Sequence, residues 1–401
     1  MTAPLEGIRI IEAANWLAAP SGCALMADLG ADVVKVEPPT GDPFRAFNLS
    51  WMSTDSDFSY PFQLDNRGKR SISLDLQHPD GPELLTKLTE GADFFVTNLL
   101  PARQERYGLT YERLKARYPR LIYVAVSGFG ALGIDRNRPG FDYSAFWARS
   151  GIMGLMGEPG SPPPVQRPGM GDHSTSLNVM TAMLAALRQR DQTGEGLRVD
   201  VTLFATGLWA LSSDLSAALV ARKIPPRYTR VSPYNPIWNG YLTRDNRWLL
   251  LVMPHPDRFW APMCRALDRP EWIGDPRYDT REKRMERSAE LVGAMDAIFA
   301  ARDLAEWWKR LNTAGVIWSA VLELPQVVED PQAEAMGHFC TIDHPEIGPF
   351  RSLSTPFRIL GADIGPRGPA PEIGQHTEEL LLECGYDWEA IAGLRDSGVL
   401  G

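Results

Sequence analysis

The sequence predicts an α/β protein, with a parallel sheet covered by helices on both faces and a smaller α+β domain after it. Three observations lead there. Strand-like and helix-like segments alternate through the first half of the 401 residues, the order that builds parallel sheets. The strand-like segments are nearly continuous apolar runs, as strands buried on both faces are. A proline-rich break at Pro225-Pro226 and Pro233 to Pro236 then replaces the alternation with a hairpin followed by helices.

Taken in order, residues 8–11 form a short strand. Residues 18–29 form a helix of small side chains that Gly30 ends. Residues 32–37 are strand-like and stop at Pro38-Pro39. Residues 79–90 read as helix and 92–97 as strand, then 111–118 as helix and 121–127 as strand. After a proline-rich loop at 161–169, Leu177, Met180, Met183, Leu184 and Leu187 recur at helical spacing. Residues 198–201 give one more strand and 203–222 another helix. Beyond the break, 240–243 and 247–252 flank the turn Arg244-Asp245-Asn246 as a hairpin. Helical stretches follow at 256–267, 288–302 and 304–312, then a loop-rich region from about residue 330, and a last helix near 376–384. These patterns divide the chain at 1–225, 226–325 and 326–401.

Composition narrows the function. Hydrophobic residues make up 44% and charged residues 23%, values of a globular chain that excludes disorder and fibrous repeats. Lys plus Arg total 41 and Asp plus Glu total 50, a net charge of −9. A protein built to grip phosphate backbones is basic, so nucleic acid is not the expected partner. Cys23, Cys264, Cys340 and Cys384 are scattered without a C-x-x-C pair, which fits reduced thiols. The six histidines lack metal-ligand spacing, so no metal is expected. Neither a secretory signal nor a long apolar span is evident, and the expectation is a cytoplasmic protein without a membrane partner.

Candidate sites are few. Gly128-Phe129-Gly130-Ala131-Leu132-Gly133 follows a strand but precedes a loop. A dinucleotide fingerprint needs a helix N-terminus there, so this is read as a structural loop. Asp172, in Gly169-Met170-Gly171-Asp172-His173-Ser174, precedes the helix that carries Leu177 and Leu187. It reads either as a helix N-cap or as a carboxylate kept ionised by the helix end and able to act as a nucleophile. The two glycines before it would let a substrate approach the backbone closely. His173 lines the same place but faces another direction. Lys35, Arg45, Arg67, Lys69, Arg70, Arg103 and Arg106 form a basic N-terminal group suited either to solvent or to an anionic ligand. The aromatic pieces Phe44, Phe47, Trp51 and Phe146-Trp147 read either as core or as an acyl pocket, with Met153 beside them. Asp65-Asn66-Arg67-Gly68-Lys69-Arg70 reads as a polar turn into a strand, with no catalytic signature of its own.

Together these segments resemble the class III CoA-transferases, the CaiB–BaiF family. The resemblance rests on Gly30-Ala31-Asp32-Val33-Val34-Lys35-Val36-Glu37-Pro38-Pro39, Gly41-Asp42-Pro43-Phe44-Arg45 and Asp65 to Ile72. It continues through Pro119-Arg120-Leu121-Ile122-Tyr123, Ser127-Gly128-Phe129-Gly130, Pro139-Gly140-Phe141-Asp142, Gly157-Glu158-Pro159 and the closing Pro371 to Glu379. It implies a Rossmann-like large domain made from both chain ends, with residues 326–401 returning to complete it, a small inserted domain, and an interlocked homodimer. It implies Asp172 as the nucleophile that forms first an aspartyl anhydride and then an aspartyl-CoA thioester. CoA then passes from an acyl-CoA to a free carboxylic acid. CoA contacts are implied at Trp16, Leu17, Arg45, Leu74, Asn98, Leu99, Arg106 and Tyr107. A substrate pocket is implied at Trp51, Phe141, Phe146, Trp147 and His173. Two alternatives are an α-methylacyl-CoA racemase-like epimerase and a non-catalytic CoA-binding protein. The racemase needs a histidine base where Phe141 stands, and phenylalanine accepts no proton.

Overall fold

The computed structural model describes residues 2–47, 58–223 and 226–401. It separates into two compact units. One comprises Met1–Gly154, Val165–Leu219 and Glu334–Gly401; the other comprises Leu155–Pro164 and Val220–Ala333.

The first unit is organised by six strands: β1 (Arg9–Ala13), β2 (Asp32–Glu37), β3 (Arg70–Ser73), β4 (Phe94–Thr97), β5 (Ile122–Ser127) and β6 (Arg198–Thr202). They pair in the order β3-β2-β1-β4-β5-β6, every neighbour parallel. The chain winds one way from β1 to β3 and the other way from β4 to β6. The reversal lies between β1 and β4, and ligands of such sheets bind beyond the strand ends at that point. Successive residues split between two cores, as the two-residue pleat requires. Ile10, Val33, Phe94 and Val124 face one helical layer; Ile11, Val34, Phe95 and Tyr123 face the other.

The helices of this part of the chain are α1 (Ala18–Asp28), α2 (Tyr60–Asn66), α3 (Gly81–Leu88), α4 (Pro101–Tyr107), α5 (Tyr111–Arg117), the single turn α6 (Ile152–Leu155), α7 (Met170–Thr193), α8 (Leu203–Ala210) and α9 (Ser212–Ala221). The small residues of α1 let it approach α7 closely. A Cβ on Gly22 would lie 2.8 Å from Val179 Cγ1 and 3.2 Å from the Ser176 carbonyl. Sequence patterning missed α2 and α4, both short and both begun with a proline in the first turn. The single helix expected at 203–222 is two helices bent by 78°. Among the described residues, no single helix is long and apolar enough to cross a membrane.

The loop-rich C-terminal region holds an antiparallel hairpin, Phe339–His344 with Gly348–Leu353, and the helices Thr377–Glu383 and Trp388–Asp396. The chain end closes on the sheet edge, where Leu74 bridges Leu400 and the Asp75 N–H donates to the Val399 carbonyl at 2.9 Å.

The second unit carries a three-stranded antiparallel sheet. The expected hairpin, Gly240–Leu242 with Trp248–Leu251, gains Trp318–Ala320 as its third strand. The helices Pro256–Ala266, Ser288–Phe299 and Leu304–Ala314 share a core of Tyr241, Trp260, Met263, Phe299 and Trp307 with it.

Candidate active site

Helix α7 begins at Met170, seven residues before Leu177, where the apolar period starts, so Asp172 lies inside its first turn. The cap comes from elsewhere. The Asp142 carboxylate accepts the Gly169 N–H at 2.8 Å through Oδ2 and the Gly171 N–H at 3.1 Å through Oδ1. Asp142 opens the π-helical turn Asp142–Ala148 and satisfies the free donors that the sequence assigned to Asp172. Gly171 is required by this closure rather than by an approaching substrate. A Cβ there would lie 2.2 Å from Asp142 Oδ1 and 2.4 Å from Phe146 Cγ.

Released from capping, the Asp172 carboxylate has no hydrogen-bond partner among the described residues. Its electrostatics run opposite to the expectation of a firmly ionised group. Burial is the largest influence and the Asp142 charge the next. With Asp65 they push the Asp172 carboxyl up to about 7, against the downward pull of His173. Asp142 is itself raised, because burial outweighs its two backbone donors. The buried indole N–H of Trp147 adds a further downward pull on it.

His173 turns from Asp172 toward α2, where its Nε2 lies 3.0 Å from Asp65 Oδ1. Burial opposes a charge on the imidazole. The bond to Asp65 and the charges of Asp65, Asp172 and Asp142 prevail and hold it above its ordinary range. Asp65 is completely buried, and its other oxygen, Oδ2, has no partner. Nothing local in the Asp65–Arg70 turn signals this pairing; its partner lies 108 residues away.

An aromatic surface adjoins this helix end. Trp16 follows β1 with a left-handed φ of 69°, a conformation that costs a bulky residue about 1–3 kcal/mol. Asp42 accepts its N–H at 3.1 Å, and the ring packs edge-on against Phe141 at 5.5 Å and Phe47 at 6.1 Å. Leu17 packs with Phe44 and Phe62. Asn98, just past β4, braces the same turn, accepting the Asn15 N–H at 3.2 Å and donating to the Asn15 carbonyl at 2.7 Å. Trp16, Leu17, Asn98 and Leu99 thus stand where the winding of the sheet reverses. Arg106 and Tyr107 end α4 just beyond.

The remaining expected residues are placed differently. Phe141 is 54% exposed, but Phe146 and Trp147 are 4% and 6% exposed and pack in the core beneath α7. They are core residues and do not present a surface to a substrate. Leu74 is fully buried in the opposite core, so its side chain is closed to a ligand. Trp51 lies outside the described residues.

The basic group is also not the open anion site that the sequence suggested. Lys35 donates to Glu12 at 3.1 Å and Asp42 at 2.8 Å, while Lys69 donates to the other Glu12 oxygen at 2.7 Å and to Asn66 at 2.9 Å. All four charged side chains are buried. Burial drives the Lys69 ammonium down despite Glu12. In Lys35, Glu12 and Asp42 overcome burial and hold the ammonium up. Arg67 pairs with Asp28, and Arg70 with Asp32, Glu379 and Glu383. Arg45 forks onto Glu37 at 2.7 and 2.8 Å and lies over the Phe62 ring. Lys35, Lys69, Arg45 and Arg67 neutralise the protein's own buried carboxylates, which a lone buried charge demands, while Arg70 pairs with carboxylates nearer the surface. Of the group, Arg103 and Arg106 on α4 are exposed.

An unpaired, half-buried carboxylate thus stands at a helix end beside the sheet's reversal point, where ligands of such sheets bind. The sequence profile of CoA-transferase family III matches residues 5–377. The chain belongs to this family. It is similar to the (R)-2-hydroxy-4-methylpentanoate CoA-transferase of Clostridioides difficile, 32% identical over 399 residues that cover 99% of each chain. It is also similar to the cinnamoyl-CoA:phenyllactate CoA-transferase of Clostridium sporogenes, 31% identical over 97% of this chain and 95% of the other. Among solved structures, a CaiB/BaiF family protein from Brucella suis superposes with a TM-score of 0.84 at 29% identity, covering 96% of this chain and all of that one. A family III CoA-transferase acts on CoA thioesters and carboxylic acids, and this chain is an enzyme of that class.

Proposed function

We propose that this enzyme transfers CoA by covalent catalysis at Asp172. An Asp172 oxygen attacks the thioester carbon, the C–S bond breaks, and CoA leaves as thiolate, giving a mixed anhydride. The thiolate then attacks the Asp172 acyl carbon and expels the donor's acid as carboxylate, leaving an aspartyl-CoA thioester. The acceptor carboxylate attacks that thioester, and the same two steps in reverse deliver its acyl-CoA and regenerate Asp172. No proton is consumed overall, so the nucleophile has to start ionised.

The observation that carries this reading is the division of labour at α7. Asp142 caps the helix, and Asp172 is left without a partner in a partly desolvated place. Phe141, in contact with Trp16, supplies no base, which argues against epimerisation. The aromatic surface of Trp16, Phe47 and Phe141 favours acids with an apolar or aryl body. Two similar enzymes carry such acids in their names, 2-hydroxy-4-methylpentanoate and phenyllactate. CoA is proposed to lie along Trp16, Leu17, Asn98 and Leu99, with its phosphates toward Arg106. We further propose that the 226–325 region is a small domain inserted in the large one, and that two chains interlock as a homodimer in the cytoplasm.

The decisive experiment incubates wild type and Asp172→Ala with a panel of acyl-CoA donors and acids, with intact-mass analysis before and after hydroxylamine. A hydroxylamine-sensitive CoA adduct on Asp172 is expected. Full transfer by Asp172→Ala would refute the mechanism.

A further inference from the structure

We propose that the His173–Asp65 pair is the docking group for the free carboxylate that leaves and enters the site. This deepens the covalent CoA-transfer reading above and rests on it. Twice in each turnover a free carboxylate has to sit beside Asp172. The place is already negative, since Asp142 and Asp65 both act on Asp172 and all three carboxylates act on His173 there. Like charges at such range repel, and the site needs a cation facing its substrate. His173 is the basic group whose charge Asp172 feels.

The geometry suits that task. The buried Asp65 carboxylate takes Nε2–H at 3.0 Å, which fixes the ring and leaves Nδ1 as its other donor. Nδ1 has no partner among the described residues. It lies over the start of α7: a Cβ placed on Gly169 would be 3.5 Å from His173 Nδ1 and 3.5 Å from Leu17 Cδ1. The side chain is 44% exposed, so a ligand can reach it. The second oxygen of Asp65 is buried without a hydrogen bond. A purely structural carboxylate would satisfy both oxygens. One that exists to hold a positive charge on an imidazole needs only the first. An Nδ1–H pointing to an incoming carboxylate then forms a charge-assisted bond that orients the acid's oxygen toward the Asp172 acyl carbon.

The test is isotope exchange between an acyl-CoA and its own ¹³C-labelled acid, run with succinyl-CoA, cinnamoyl-CoA and 4-methylpentanoyl-CoA. Wild type, Asp172→Ala, His173→Gln and Asp65→Asn are compared. For a pair that wild type exchanges, His173→Gln is expected to raise the KM of the free acid about 10- to 100-fold, the loss of one bond to a charged group. The KM of the acyl-CoA is expected to stay within about three-fold, well under the roughly ten-fold that 1.4 kcal/mol represents, while the rate of Asp172–CoA adduct formation should fall, since His173 no longer draws the Asp172 carboxyl down. Asp65→Asn is expected to shift the acid KM in the same direction. In wild type the acid KM should rise with pH as His173 loses its proton among Asp65, Asp142 and Asp172; in His173→Gln it should be flat. An unchanged acid KM in His173→Gln, or equal rises for both substrates, overturns the inference. If the variant does not fold, a wild-type acid KM that is flat from about pH 6 to 9, across the range where a histidine titrates, overturns it as well. A wild type that exchanges no pair and carries no CoA adduct instead defeats the covalent reading, and this inference with it.

Discussion

Asp172 is placed at a cost to the fold, and replacing it with Asn measures that cost. In the folded chain its carboxyl is raised from 3.8 to about 7, so folding favours the protonated form. The stabilising preference is complete below the unfolded value near 4 and is lost as pH rises through about 7. Above that, the wild type carries the full penalty of an ionised carboxylate beside Asp142. Asn carries no charge at any pH. A shift of roughly three units at 1.36 kcal/mol each sets a ceiling of about 4 kcal/mol. Because Asp172 is partly open to water, screening reduces this to about 1–2 kcal/mol. At about 2 °C per kcal/mol for a chain of this size, Asp172→Asn should melt about 2–4 °C above wild type at pH 8. The difference should vanish near pH 4.5. Differential scanning fluorimetry of both proteins across that range reads it directly. Equal melting at pH 8, or a less stable variant there, would refute the electrostatic account of the site.

Three further outcomes follow from the same contacts. The rate of Asp172–CoA adduct formation should rise with pH through an acid limb near 7, as the carboxyl pushed to about 7 ionises; Asp142→Asn should move that limb to lower pH in single-turnover mass spectrometry. Gly171→Ala forces a Cβ to 2.2 Å from Asp142 Oδ1, so urea melts should show a loss of about 1–3 kcal/mol together with loss of transfer activity. Glu12→Gln leaves Lys35 and Lys69 buried without their shared counter-charge; a fall of about 3–5 kcal/mol in denaturant stability is expected, and an unchanged urea midpoint would contradict it.

Much of this architecture is legible in the chain because its cause is local. Apolar runs such as Phe94–Thr97 and Ile122–Ser127 announce strands, and Gly171-Asp172 before an apolar helical period marks a carboxylate at a helix start. What escapes is what depends on distant partners. Asp172 reads as a cap because capping is sought among neighbours, whereas the true cap reaches back 27 and 29 residues from Gly169 and Gly171. Arg67 and Lys69 read as a solvent- or anion-facing group because their carboxylates lie 39 and 57 positions away, and so does Lys35, one of whose two partners lies 23 positions back. Phe141 and Phe146 look alike in sequence. Only the turn between them decides that one meets Trp16 and the other sinks beneath Gly171.

The capping of α7 by Asp142 also separates inheritance of shape from inheritance of chemistry. The helix start is closed by a residue other than Asp172, so replacing the Asp172 carboxylate leaves the two closing hydrogen bonds in place. A lineage can therefore fall silent at Asp172 by one base change and still make a well-folded chain. In the laboratory the same separation makes Asp172→Asn a natural trap for the intact acyl-CoA.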